Sequence, residues 1–224
     1  YIEKYGLSGS WFFSVNDRNK GYASNFFDAV EKTTGELVFF CDQDDIWLPD
    51  RLERMERVME EHADIQMLGS EFEPFCCSEN APTIRREVLE SFHNDGSLEH
   101  VPFTAANVFI GSEGCTMCIR KSFWEQIREY WFPGWAHDEF VWKLSLCLDG
   151  CYIYHKTTLK RRMHAGNVSK RKMRDLQKRI VFFETLEKSH EHTLQFAKKL
   201  ALPQKTLRLL ERNIKATHMR VSLM

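Results

Sequence analysis

Apolar residues along the chain follow two different spacings. Leu37-Val38-Phe39-Phe40-Cys41 is an unbroken apolar run of strand length, the pattern of a strand buried on both faces of a parallel sheet. Trp11-Phe12-Phe13-Ser14-Val15, after a loop with Gly6 and Gly9, predicts a short strand. Further strands are predicted over Ile65 to Phe75, Gly114 to Ile119, Cys151 to His155 and Leu159 to His164. Helical spacing appears over Ser24 to Thr33, through Phe26, Phe27 and Val30, with Gly35 placed as a C-cap. It recurs after Pro49, a residue suited to a first helical turn, through Leu52, Met55, Val58 and Met59. Ser122 to Tyr130 predicts a short helix, and His137 to Leu148 a longer one with Phe140, Val141, Leu144 and Leu148 on one face. Residues 76–104, rich in Asn, Ser, Gly and Pro, predict an irregular covering loop. From Lys170 the helical period runs to Leu200, breaks at Pro203 and resumes to the end. The expectation is an α/β body over residues 1–168 followed by a helical hairpin over 169–224.

Composition narrows the class. The chain has 224 residues, 43% hydrophobic and 28% charged, which excludes disorder, collagen and coiled coil as whole-chain descriptions. No apolar run approaches the roughly 20 residues of a membrane helix. Residues 1–155 carry a net charge of −14 and residues 156–224 one of +13. A basic tail of this kind faces phosphates, nucleic acid or anionic lipid, or packs on the acidic body. The seven cysteines, 41, 76, 77, 115, 118, 147 and 151, are odd in number and irregularly spaced. They point to a reducing compartment and to buried thiols rather than a disulfide framework. Cys115-Thr116-Met117-Cys118 is a lone CxxC, and His190 and His192 are partners for it by composition only. The start of the chain has no basic-then-apolar leader pattern, so a cytoplasmic location is expected. It also has no initiator Met.

The chemistry concentrates in Asp42-Gln43-Asp44-Asp45. Three aspartates in four residues, directly after an apolar strand, repel one another and raise one another's pKa. A hard divalent cation such as Mg²⁺ or Mn²⁺ resolves the conflict by taking oxygen ligands together with substrate phosphates. The end of a strand is also where α/β sheets bind ligands. The plainer reading is a solvated acidic turn that caps the next helix. A haloacid-dehalogenase-like phosphatase also places Asp-x-Asp after a strand. That reading needs a later strand ending in an acidic pair, which is lacking here, and position 46 is Ile.

Five blocks in order resemble glycosyltransferase family 2, and within it the rhamnosyltransferase-like branch. Asn19-Lys20-Gly21-Tyr22-Ala23-Ser24-Asn25 resembles the family's N-x-G-x-x-x-N segment. Gly35 to Pro49 resembles its G-E-strand-DQDDIW-x-P signature almost residue for residue. Gly114-Cys115-Thr116-Met117 matches its G-C-T-M strand, His137-Asp138 resembles its H-D-W-W segment, and Arg162 to Val168 resembles R-Q-H-G-x-N. The resemblance covers about two thirds of the chain.

The resemblance implies a GT-A fold: a Rossmann-like mixed sheet flanked by helices, here with a C-terminal helical extension. It implies a metal-dependent, inverting transfer from a nucleoside-diphosphate sugar to a glycan or lipid-linked acceptor in bacterial surface polysaccharide synthesis. Asp44 is then the direct metal ligand, Asp42 lies nearer the ribose or the metal, and Asp45 supports them. Asn19, Lys20, Asn25, Arg162 and His164 fall to the donor. Trp47, Cys115, Thr116, His137 and Glu139 fall to the acceptor or sugar pocket. Asp138 matches the catalytic base, although the family's aromatic after it is Glu139 here, so Glu139 stays open as an alternative. Read without the family, Asp138 is a carboxylate at the positive end of its helix, and Trp47 and Trp135 are as well suited to a core as to a sugar platform. The family's opening strand-helix-strand unit has no counterpart, which implies that the chain is N-terminally incomplete and admits an inert sugar-nucleotide-binding piece as the other reading. The basic tail implies contact with the inner membrane surface, a cover for the domain, or a homodimer contact, with nucleic acid set aside.

Overall fold

The computed structural model describes residues 2–77, 81, 83–84, 86–164 and 175–224. One mixed sheet organises them. Its strands are β1 (Leu37–Phe39), β2 (Ile46–Trp47), β3 (Met67–Cys76), β4 (Leu98–His100), β5 (Cys118–Arg120) and β6 (Cys151–Met163). Their order is β1-β5-β3-β6-β2, with β4 also on β6. β3 and β6 run parallel, and every other pairing is antiparallel.

Strict alternation sends successive side chains to opposite faces. Val38, Phe40, Met67, Met117 and Ile119 enter one core, against α1 (Tyr22–Glu31), α4 (Lys121–Ile127) and α5 (His137–Cys147). Leu37, Phe39, Leu68 and Cys118 face the other side, where α2 (Arg51–Glu61) packs through Met55 and Met59. The result is the layered helix–sheet–helix arrangement expected for an α/β chain. α3 (Arg86–Glu90) packs through Val88 on a third cluster with Phe72, Leu159 and Met163. α6 (Leu176–Lys199) and α7 (Gln204–Ser222) form the hairpin, and Phe196, Ala197 and Leu210 enter the first core. Among the described residues, no helix is long and apolar enough to cross a membrane.

Several expectations are corrected. β1 is an edge strand whose one partner among the described residues, β5, is antiparallel; an apolar run reports burial, not strand direction. Trp11 to Val15 forms no strand, and Phe12, Phe13 and Val15 are at least 80% exposed. An apolar run without a neighbouring strand has nothing to accept its ladder. Gly35 lies beyond the C-cap of α1, which is Lys32. Pro49 precedes the N-cap of α2, Asp50, and Leu52 is exposed while Arg51 takes the buried position. The segment 114–116 is a 3₁₀ turn before β5. The two strands predicted over 151–164 are one continuous β6. The loop expected over 76–104 includes α3 and β4. Cys41, Cys76 and Cys77 are exposed rather than buried.

Candidate active site

β1, β3 and β6 point the same way, so their carboxyl ends share one rim of the sheet with the start of β5. β1 lies at one edge of the sheet and β2 at the other. Residues 40–45, which join them, therefore cross this rim, and Asp42, Asp44 and Asp45 are carried over it.

The turn is braced from β6. Arg162 donates its backbone N–H to Asp45 Oδ1 and its Nε–H to the Asp44 carbonyl, each at 2.8 Å, and its guanidinium lies over the Phe75 ring. His164 Nε2 sits 2.8 Å from Asp44 Oδ2. Donor atoms of Asp42, Asp45 and Cys115 lie within 4.8 Å of one another. Asp45 Oδ2 is buried with no geometric hydrogen bond among the described residues. Burial, then the charges of Asp45 and Asp44, push the Asp42 carboxyl up, while Arg161 opposes them. This is a concentration of carboxylate charge with an unanswered oxygen, and a divalent cation with oxygen ligands fits it. Asp42 and Asp45 oxygens converge there, whereas Asp44, expected as the direct ligand, turns to His164 and lies outside that group. Burial and the neighbouring Asp45 push the Cys115 thiol well up, so it remains a neutral wall of the site.

The turn at Gly114–Thr116 joins this cluster to Asp138. Cys115 faces Asp42 and Asp45, while a Cβ on Gly114 would lie 3.0 Å from His137 Nε2 and 3.2 Å from Asp138 Oδ2. A side chain at 114 would push the first turn of α5 back by a few tenths of an ångström. Asp138 Oδ1 accepts the Glu139 N–H at 2.8 Å. Burial, with Glu139 and Glu113 adding like charge, moves the Asp138 carboxyl to about 6. That is a useful range for a general base. His137 is buried, stacked 3.8 Å from Phe26 and edge-on to Phe40, and burial lowers it to about 3. It is a neutral ring under the site.

The other expected residues divide. Asn19, Lys20 and Asn25 line a surface cavity of about 370 Å³ with Asn16, Arg18, Gly21 and Tyr22. Lys20 pairs with Asp28 there, and Asn25 accepts from Asn16. Tyr22 links this cavity to the base, since the charges of Asp138 and Glu139 help raise its phenol. Thr116 is fully buried, bonded to Ser112 and the Glu113 carbonyl. Trp135 is core, stacked on Phe132, and Trp47 lies under the Arg51 guanidinium. Cys115 and Cys118 enter different clusters, and His192 bonds the Tyr130 carbonyl, so the CxxC gathers no ligand set among the described residues. Ala165 to Val168, the end of the fifth block, and the 168/169 boundary lie outside the described residues.

Two buried arginines were not singled out as site residues. Arg51 donates to Thr158, to Ser70 and to the Cys115 carbonyl, tying α2, β3, β6 and the 114–116 turn together. Arg161 is 6% exposed and pairs with Glu113 at 2.5 Å. The positions of Arg51, Met55 and Met59, four apart, would have placed that arginine on the buried face.

A family model described as glycosyl transferase family 2 matches residues 2–127. None of the curated proteins matches the chain. Among solved structures, TarS 1–349 of S. aureus in complex with UDP-GlcNAc superposes with a TM-score of 0.63 at 15% identity. That match covers 88% of this chain and 56% of the other. A second structure of S. aureus TarS 1–349 gives a TM-score of 0.53 at 13% identity, over 98% and 75%. The chain thus spans little more than half of the first of these. At such identities the likeness is one of fold, the α/β GT-A fold with C-terminal helices.

Proposed function

The chain belongs to glycosyl transferase family 2, and from that membership we propose that it transfers a sugar, with inversion, from a nucleoside-diphosphate sugar to an acceptor hydroxyl. The observation that carries this reading is the 114–116 turn, which backs onto Asp138 through Gly114 and onto the aspartate cluster through Cys115. The carboxylate base and the acidic site in this reading thus back onto adjacent residues of one turn.

Asp42, Asp44, Asp45 and His164 hold the Mg²⁺ or Mn²⁺ in this reading; when bound, the ion offsets the charge that develops on the leaving diphosphate. The cavity of Asn19, Lys20 and Asn25 receives the donor. Arg162 keeps the acidic turn in place. Asp138 takes the proton of the acceptor hydroxyl as its oxygen attacks the anomeric carbon, and single displacement inverts the configuration. Trp47, Cys115, His137 and Glu139 support the sugar pocket. We extend the proposal to a glycan or lipid-linked acceptor of a bacterial surface polysaccharide, at the cytoplasmic membrane face, with residues 1–168 as the transferase body. The +13 excess after residue 155 supports it, because basic surfaces hold anionic lipid.

Calorimetry with UDP, dTDP and GDP, with and without Mn²⁺, tests the donor site. Metal-dependent binding that disappears in Asp44→Asn is the expected result; equal binding by that variant overturns the ligand assignment. A companion assay of Asp138→Asn should show retained nucleotide binding and lost transfer.

A further inference from the structure

We infer that Lys143 is a positioning residue, through which the C-terminal helix α6 holds the first turn of α5 and so sets Asp138. The inference rests on Asp138 as the base, and its test separates the two.

Lys143 is fully buried in the middle of α5. An ammonium there is costly unless every proton finds a partner. It has three, and three acceptors face it: Glu139 Oε1 at 2.5 Å, Ser189 Oγ at 2.7 Å and His190 Nδ1 at 3.4 Å. The first belongs to α5, one turn back; the other two belong to α6. Ser189 passes its own proton to the Leu186 carbonyl at 2.7 Å. His190 is fully buried, and burial together with Lys143 lowers it to about 3, which keeps the ring neutral and able to accept. The three ammonium protons are thus matched, while His190 Nε2 on the other side of the ring has no hydrogen-bond partner among the described residues.

Its reach to Asp138 is short. Glu139, held by Lys143, donates its N–H to Asp138 Oδ1. Glu139 is also one of the negative charges acting on that carboxyl, with Glu113 from the segment before β5. Tyr22 of α1 and the neutral His137 complete the titratable groups around it. The ammonium therefore does two things. It fixes the Glu139 backbone, and it cancels the Glu139 charge that would otherwise hold the Asp138 proton more tightly. Burial pulls the Lys143 ammonium down and the Glu139 carboxylate opposes it, while Ser189 and His190 hold it in place.

The test is a ¹³C NMR titration of the Asp138 carboxyl in the full chain, the resonance being assigned by its absence in Asp138→Asn. Lys143→Met should raise the proton affinity of Asp138 about tenfold, one pH unit. Lys143→Met combined with Glu139→Gln should return it close to the parent value. Ser189→Ala, which loosens the ammonium without removing it, should move the midpoint the same way by about two- to threefold, and it decides the matter if Lys143→Met does not fold. The proposal is overturned if folded Lys143→Met and Ser189→Ala both leave the midpoint in place, or if the double variant stays as far shifted as the single. Normal transfer by Asp138→Asn would instead sink the base assignment while leaving these midpoints as they are.

Discussion

Asp138 is held at a cost. Burial pushes its carboxyl up to about 6, well above the ordinary aspartate range. A raised carboxyl pKa means that the unfolded chain ionises first, so stability falls as pH rises from about 4 to 6 and stays lower above that. Asp138→Asn removes the penalty. Discounted for partial exposure, the variant should be about 1–2 kcal/mol more stable at pH 7, and the gain should vanish near pH 4; urea midpoints at the two pH values check both. Transfer by the parent should rise with pH and level off above about 6, since only the ionised carboxyl accepts a proton. Gly114 belongs to the same residue pair. In Gly114→Ala the new methyl meets His137 and Asp138 at 3.0–3.2 Å, and a base displaced by a few tenths of an ångström should lose about tenfold or more in kcat with donor binding unchanged.

At the scale of elements, Arg51 bonds to β3, β6 and the turn before β5 at once. Arg51→Met leaves buried Thr158, Ser70 and Cys115 oxygens without their donor, and should cost about 3 kcal/mol or more by denaturant midpoint. Helices and strands were largely legible in the sequence, because periodicity reports which faces are buried. α1, α2, α4, α5 and α7 fall within a few residues of their predicted spans, as does the end of α6, whose predicted start over 170–174 lies outside the described residues. Periodicity says nothing about partners, which is why β1 read as a parallel central strand and Trp11 to Val15 as a strand at all. The two apolar pieces of β6 read as separate because His155, Lys156, Thr157 and Thr158 interrupt the run; His155 in fact pairs with Glu71 and Glu99 inside the sheet. At the site, the acidic motif was legible from residue types. That Asp44 faces His164, and that Asp45 rather than Asp44 shares its space with Asp42 and Cys115, depends on contacts across more than sixty residues, which no local pattern encodes.

At the scale of the molecule, the hairpin is more than a basic appendage. Phe196, Ala197 and Leu210 are all within the main core and fully buried. Burying the two larger side chains alone contributes about 3–6 kcal/mol, against a total stability of order 5–15 kcal/mol for a domain. A chain ending before α6 should therefore lose its cooperative thermal transition, which calorimetric melting would show. The acidic linker over the sheet rim has a mechanical side as well. It is tied at Phe40 to Met117 at one border of the sheet and at Leu48 to Thr158 at the other. A ligand that draws the aspartates together pulls on both ties at once, so nucleotide and Mn²⁺ should slow amide hydrogen exchange at Phe40 and at Leu48 in step, on opposite sides of the sheet.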